Sequence, residues 1–279
     1  MKRLLDLFCG AGGAAVGYNR AGFTVIGVDI NEQPNYPFEF IQSDIFELDP
    51  SFLEDFDVIH ASPPCQAYSW ATKGHRNKGK EYPDLLGKAR EFVLASGVDY
   101  VIENVVGAKL IDPVKLCGTM FDLRVIRHRL FESNMWLYPP CKCNHKGTVY
   151  NGDYSLVANC QPIGKRLGGR AMTNEERKGF RDAYYAKVRA KYLNEDGTPK
   201  ERYVTVAGHG GNGSARYLDW CDAMQIFWMN KHKTLTKNKY DLTQAIPPAY
   251  THHIGSIILG NPIEVMVAGS DLHKVAALE

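Results

Sequence analysis

The chain has 279 residues, enough for one large domain or two. Hydrophobic residues make up 44% and charged residues 23%, the balance of a globular protein, and no apolar run approaches the roughly 20 residues that span a bilayer. A net charge of +2 excludes a strongly polyionic chain, and seven scattered cysteines argue against a disulfide framework and for a reducing, cytoplasmic setting.

Met1 to Leu5 lacks the small-residue cleavage site of a signal peptide. Lys2 to Phe8 reads as a short apolar strand, Cys9-Gly10-Ala11-Gly12-Gly13 as a glycine turn, and Ala14 to Ala21 as a helix. Glycines at a strand-to-helix turn let the backbone approach a ligand closely. Thr24 to Val28 is the second strand. Asp29 closes it, 19 residues after Gly10, where a carboxylate can accept hydrogen bonds from ribose hydroxyls. Gly10-x-Gly12-x-x-Ala15 also fits the dinucleotide fingerprint. The turn by itself does not choose between a nicotinamide cofactor and S-adenosylmethionine.

Phe38 to Gln42 is a third strand, ending at Ser43-Asp44. Asp57 to Ala61 is a fourth, and it runs into Ser62-Pro63-Pro64-Cys65-Gln66. Two prolines fix φ and bias the preceding residue to extended geometry. A cysteine presented beyond the carboxyl end of a parallel strand faces the crevice where such folds bind ligands, so Cys65 reads as a nucleophile. Gln66 to Tyr82 is polar and carries Lys73, His75, Arg76, Lys78 and Lys80. It reads as a mobile lid with phosphate contacts, or as a disordered basic loop. Asp84 to Leu94 places Leu85, Leu86, Ala89, Phe92 and Val93 at helical spacing. Val98 to Glu103 is a fifth strand. Strands alternating with helices predict a parallel α/β sheet.

Phe121 to Phe131 reads as a β pair, with Arg127 and Arg129 sharing a side. From about residue 134 the periodicity weakens. Between Asn134 and Trp220 there are 14 Lys and Arg against 8 Asp and Glu, an excess of six that suits a nucleic-acid face or a solvated surface equally. Thr173 and Glu176 form a capping box for a helix carrying Phe180, Tyr184, Val188 and Tyr192. Cys141, Cys143, His145 and Cys160 form a conceivable zinc set, but their spacing departs from the common paired-cysteine units. Incidental cysteines in a loop-rich module are the preferred reading, so no metal is expected. Gly208 to Ser214 is a hinge or a close backbone approach to DNA. Gln244 to Pro248 leads into an apolar helix through Leu259. The domain organisation expected is 1–133 for a catalytic cofactor-binding domain, 134–220 for a second small domain, 221–267 for a return segment completing the first, and 268–279 for a vector-derived tail.

Asp6 to Gly13, Pro63-Pro64-Cys65-Gln66, Glu103-Asn104-Val105 and Ile246-Pro247-Pro248-Ala249-Tyr250-Thr251, in this order, resemble the motifs of the cytosine-5 DNA methyltransferases. The likeness is strongest to compact phage and prokaryotic members, and it covers residues 3–133 and 244–260. It implies a Rossmann-like S-adenosylmethionine-dependent methyltransferase sheet with a small irregular target-recognition domain. Phe8, Gly10 and Gly12 would then surround the amino-acid and adenosyl portions of the cofactor. Asp29 would hold the ribose, Asp44 and Ile45 would meet the adenine, and Pro64 would pack near the sulfonium. The resemblance makes Cys65 the nucleophile toward carbon 6 of a cytosine flipped out of duplex DNA, Glu103 the proton donor to ring nitrogen 3, and Arg129 with Arg127 the base clamp. Val125 stands where the family carries a glutamine. Gln66, Lys73, Arg76 and Asn104 are the DNA contacts it suggests. The expectation is a monomer acting on duplex DNA in a prokaryotic or phage-infected cell, with S-adenosylhomocysteine as product and no membrane association. The rivals are a tRNA cytosine-5 methyltransferase, a DNA-binding relic without turnover, and a nicotinamide oxidoreductase.

Overall fold

The computed structural model describes residues 1–145 and 217–261, with short pieces between them at 148–150, 166–167, 170–171 and 202–204 and a few single positions. Seven strands form one sheet: β1 (Arg3–Leu7), β2 (Thr24–Asp29), β3 (Glu39–Gln42), β4 (Val58–Ala61), β5 (Asp99–Asn104), β6 (Val114–Leu116) and β7 (Arg129–Ser133). Their order is β3-β2-β1-β4-β5-β7-β6. The first five are mutually parallel, and β7 runs antiparallel to both β5 and β6.

Both faces of the parallel part are buried, as crossover helices require. Alternate residues therefore enter different apolar layers. Leu4, Val25, Val58 and Val101 join one core, while Leu5, Ile26, Ile59 and Ile102 join the other. Helix α1 (Gly13–Ala21) lies on the first face. The four-residue helices α2 (Pro50–Leu53) and α3 (Lys73–Arg76) precede α4 (Leu86–Ala95), whose Leu86 and Val93 fill the second core. The chain returns as α5 (Tyr217–Met224), α6 (Leu235–Gln244) and α7 (Pro248–Leu259).

Helix α7 seats directly against α1, and two glycines of α1 allow it. A Cβ on Gly17 would lie 2.0 Å from Thr251 Oγ1 and 2.2 Å from the Pro248 carbonyl; one on Gly13 would lie 2.5 Å from the Ile246 carbonyl. The close seat is pinned by Thr251 Oγ1, which donates to the Ala14 carbonyl at 2.8 Å.

The five expected parallel strands and the helices Leu86–Ala95 and Pro248–Leu259 are present within a residue or two of their anticipated bounds. The β pair expected over Phe121 to Phe131 is not. Gly118–Phe121 is a 3-10 turn, ended by Asp122 at φ 54, and β7 starts only at Arg129. The partner of β7 is instead the three-residue β6, too short to announce itself by alternation. Of the expected helix after Thr173, positions 175, 178 and 179 are described, and they are helical. Most of residues 134–220, including Cys160, Gly208 to Ser214 and Arg216, and the tail 268–279 lie outside the described residues. Among the described residues no helix is long and apolar enough to cross a membrane.

Candidate active site

The carboxyl ends of β1, β2, β4 and β5 open into one cavity of about 690 Å³. It runs unbroken from Phe8, Gly10, Asp29, Asp44 and Ile45 to Pro64, Cys65, Gln66, Glu103, Arg127 and Arg129. Asp29 and Glu103 close β2 and β5, and Phe8, Gly10, Asp44, Ile45, Pro64, Cys65 and Gln66 follow strand ends, as position beyond the carboxyl edge requires; Arg127 and Arg129 enter from the start of the antiparallel β7 and the segment before it. Residues anticipated for the cofactor and residues anticipated for the base thus line a single chamber.

At the first end, Gly10 adopts φ +49, and a Cβ there would project into open space. Asp29 receives the Gly10 amide at 3.2 Å on one oxygen and the Asn31 amide at 2.9 Å on the other, so the strand end and the turn are tied together. Ile30, Ile45 and Phe46 supply apolar walls beside it. Asp6 also lines the cavity, and both of its carboxylate oxygens are buried without an aligned hydrogen bond. Burial and the neighbouring Asp29 push its pKa well up, and the Ala15 amide opposes only part of this. A buried carboxylate without a partner suits a ligand that brings a cation or a proton donor. S-adenosylmethionine, with its ammonium and sulfonium, meets that demand, and the open cradle at Gly10 and the apolar slot at Ile45 and Phe46 fit its adenosyl part.

At the second end, the two prolines carry Cys65 out of β4, and the Cys65 carbonyl accepts the Tyr68 and Ser69 amides at 3.0 and 2.9 Å. That turn holds the cysteine half-buried at the cavity wall. Burial raises the Cys65 thiol pKa; Arg129 opposes this, Glu103 adds to it, and Arg127 again opposes it. The resting group is therefore a thiol. Glu103 is 6% exposed, and burial raises its pKa against the pull of Arg129, Arg127 and a hydrogen bond from Ser62. Its Oε1 lies 2.9 Å from Arg129 Nε, an ion contact in which the oxygen has no aligned hydrogen bond. A raised carboxyl pKa with one oxygen still unbonded is what a proton donor needs.

A buried chain of polar groups backs Glu103. Tyr18 Oη lies 3.1 Å from His60 Nδ1, and His60 Nε2 lies 2.8 Å from Ser62 Oγ, whose hydroxyl reaches Glu103. Burial pulls the His60 pKa down to about 3, so the imidazole is neutral and orients Ser62 rather than carrying charge. Asp6 and His60 were both passed over as site residues. Each is a single polar residue inside an otherwise apolar buried strand, and that exception was the available signal.

Arg127 is held by backbone: its guanidinium donates to the Val206 carbonyl at 3.1 Å and the Thr243 carbonyl at 2.6 Å. Val125, in the glutamine's place, is buried against Gly118 and offers the arginine nothing polar. Burial, then Arg129, lowers the Arg127 pKa to about 9.

Four anticipated site residues fall elsewhere. Gly12 does not line the cavity; at φ +84 it caps α1, and a Cβ there would strike Pro37 at 2.7 Å. Asn104 is wholly buried, donating to the Pro63 carbonyl at 3.0 Å and accepting the Val105 amide at 2.9 Å, so it fixes the proline turn and is closed to DNA. Arg76 spends its guanidinium on the Gln66 and Ser69 carbonyls, both at 2.8 Å. The Lys73 ammonium sits 4.2 Å above the Trp70 ring. The segment after Cys65 is thus a hydrogen-bonded turn with a short helix, not an irregular basic loop. Trp70, at its tip, is 74% exposed.

The expected cysteine set is also redrawn. Cys141 Sγ is exposed and, among the described residues, lies 3.9 Å from the Met120 carbonyl. Cys143 and His145 converge instead with Cys117 and His128, from the β6–β7 connection. The ligand atoms of these four lie within 4.8 Å of one another.

Known proteins share sequence and fold with this chain. The family model for C-5 cytosine-specific DNA methylase matches residues 2–112. The chain is 33% identical over 120 residues to the type II methyltransferase M.HgiGI of Herpetosiphon aurantiacus, covering 39% of this chain and 94% of that protein. It is 32% identical over 125 residues to M.AgeI of Thalassovita gelatinovora, covering 38% of this chain and 28% of that longer protein. Among solved structures, a prophage protein of E. coli titled a DNA modification methyltransferase superposes with a TM-score of 0.58 at 15% identity, over 93% of this chain and 99% of that one. DNMT2 of Spodoptera frugiperda gives 0.52 at 15% identity, over 93% and 100%. These two likenesses speak for the fold.

Proposed function

The chain belongs to the family of C-5 cytosine-specific DNA methylases, and we propose that it transfers a methyl group from S-adenosylmethionine to carbon 5 of a cytosine flipped out of duplex DNA. The observation that carries this reading is the continuity of one cavity from Gly10 and Asp29 to Cys65 and Glu103. A donor and an acceptor base held at its two ends would meet inside it.

Carbon 5 of cytosine is a poor nucleophile. Addition of the Cys65 sulfur to carbon 6 makes carbon 5 enamine-like, and Glu103 assists by giving a proton to ring nitrogen 3. The thiol is protonated at rest, so it first gives its proton to solvent water, and the thiolate is the attacking species. Arg129 and Arg127 flank both groups with positive charge and favour that thiolate. S-adenosylmethionine supplies an electrophilic methyl on its sulfonium. After transfer, solvent water takes the proton from carbon 5, Cys65 leaves as thiolate, and ring nitrogen 3 returns its proton to Glu103, which restores the ring. Extruding the base costs a few kcal/mol, and the turn from Gln66 to Thr72, with exposed Trp70 at its tip, is placed to occupy the gap. Residues 134–220 would carry target recognition, as their excess of positive charge suits.

Incubation with 5-fluorocytosine duplex DNA and cofactor should trap a covalent complex on Cys65, absent in Cys65→Ala. A complex of wild-type yield in that variant would overturn the assignment. Labelled methyl appearing in tRNA and not in duplex DNA would replace the substrate while keeping the chemistry.

A further inference from the structure

We propose that Cys117, His128, Cys143 and His145 bind a zinc ion, and that this ion fastens the stretch leading into the inserted region to the strand carrying Arg129. Cys117 follows β6, His128 immediately precedes β7, and Cys143 and His145 lie beyond its end. The four come from three places in the chain, with no repeat spacing, yet their sulfur and nitrogen atoms converge.

Their separations have the size of a coordination tetrahedron. Zinc–sulfur bonds of about 2.3 Å and zinc–nitrogen bonds of about 2.05 Å put sulfur and nitrogen roughly 3.6 Å apart along a tetrahedral edge. Cys117 Sγ lies 3.4 Å from His145 Nε2, and Cys143 Sγ lies 3.8 Å from His128 Nε2. Both imidazoles present the same nitrogen. Two thiolates and two imidazoles suit zinc and are poor ligands for magnesium or calcium.

The surroundings are those of a supported metal site. Thr119 Oγ1 donates to Cys117 Sγ at 3.4 Å and accepts the Asn144 amide at 3.1 Å, joining the two ligand segments through one hydroxyl. Cys117 is buried and His145 exposed, so the site closes on the protein side and opens to solvent for metal entry. The thiols are all free, which leaves them available as ligands.

The placement of His128 gives the ion a consequence. It stands between Arg127 and Arg129, which both line the cavity, while His128 does not and joins the ligand cluster instead. Fixing His128 therefore fixes the register in which the two arginines enter. The site is independent of the methyl-transfer reading, since it rests on ligand geometry alone.

The test is metal content and cobalt substitution on the full chain, purified without chelators. One zinc per chain is expected by mass spectrometry, and cobalt(II) exchange should give the intense visible bands of tetrahedral coordination with sulfur-to-cobalt charge transfer. Cys143→Ser and His145→Asn should lose the metal and the spectrum, while Cys141→Ser keeps both. Should the ligand variants fail to fold, Thr119→Val, which leaves all four ligands in place, should weaken zinc binding by about tenfold or more in a chelator competition. Wild-type protein with less than about a tenth of an equivalent of zinc, and no cobalt spectrum in excess cobalt(II), overturns the proposal. Zinc lost in Cys141→Ser but kept in Cys143→Ser overturns it as well.

Discussion

The parallel half of the sheet and its antiparallel edge hold their functional groups in different ways. On the parallel side, Cys65, Glu103 and Asp29 stand where a strand stops, and their restraints come from a few residues nearby in the sheet: the Asn104 tie to Pro63, the Ser62 hydroxyl, the Gly10 amide. On the antiparallel side, Arg127 is positioned by the Val206 and Thr243 carbonyls, 79 and 116 residues away. Chemistry on one side is local. Positioning on the other is bought from distant parts of the chain. Damage to the first should therefore reach turnover with little loss of folding, and damage to the second should reach both.

The sharpest probe is Glu103→Gln. It removes the proposed proton donor while keeping the shape, and turnover on duplex DNA should fall by roughly 10²–10⁴-fold, with any thermal shift produced by S-adenosylhomocysteine retained. Turnover within tenfold of wild type would take Glu103 out of the mechanism. Arg127→Met tests the other side. It leaves two buried carbonyls without a donor, so unfolding free energy should drop by about 2–4 kcal/mol alongside activity; a chemical denaturation midpoint equal to wild type would break the contrast.

Asn104→Ala is a milder cut on the local side. The proline turn loses one tie worth about 1–3 kcal/mol. We expect a lower kcat, a slower covalent trapping rate and an unchanged response to S-adenosylhomocysteine. Equal losses in trapping and in cofactor binding would mean that Asn104 supports the whole cavity rather than the cysteine.

The last prediction concerns pH. In the unfolded chain His60 takes up a proton near 6.5, whereas in the fold it does so only near 3. Below 6.5 the unfolded state therefore binds more protons. The contribution is fully present above about pH 6.5 and is lost progressively as pH falls toward 3. His60→Gln should flatten this acid limb in a series of melting temperatures, and an unaltered limb would assign it to other groups.

How much of this was legible in the sequence follows the same division. The parallel strands announce themselves by apolar runs, the glycine turn by its residues, and Cys65 by two prolines. Each is a signal confined to a few adjacent positions. The burial of Asn104, the closure of Arg76 onto its own turn and the packing role of Gly12 depend on what lies opposite in space, which spacing does not encode. The Cys117, His128, Cys143 and His145 cluster is the extreme case: half of it sits outside the cysteine-rich stretch that drew attention, and the more conspicuous Cys141 is not part of it.

The interlock of α1 with α7 bears on synthesis. The turn that cradles Gly10 is translated more than 200 residues before Pro248 to Leu259, the helix that backs the one it leads into. Until that helix emerges, Gly13 and Gly17 present a bare groove where a neighbour should be. Nascent protein is therefore expected to complete the packing behind this turn in a single event once that helix has emerged, rather than gradually as the strands are laid down.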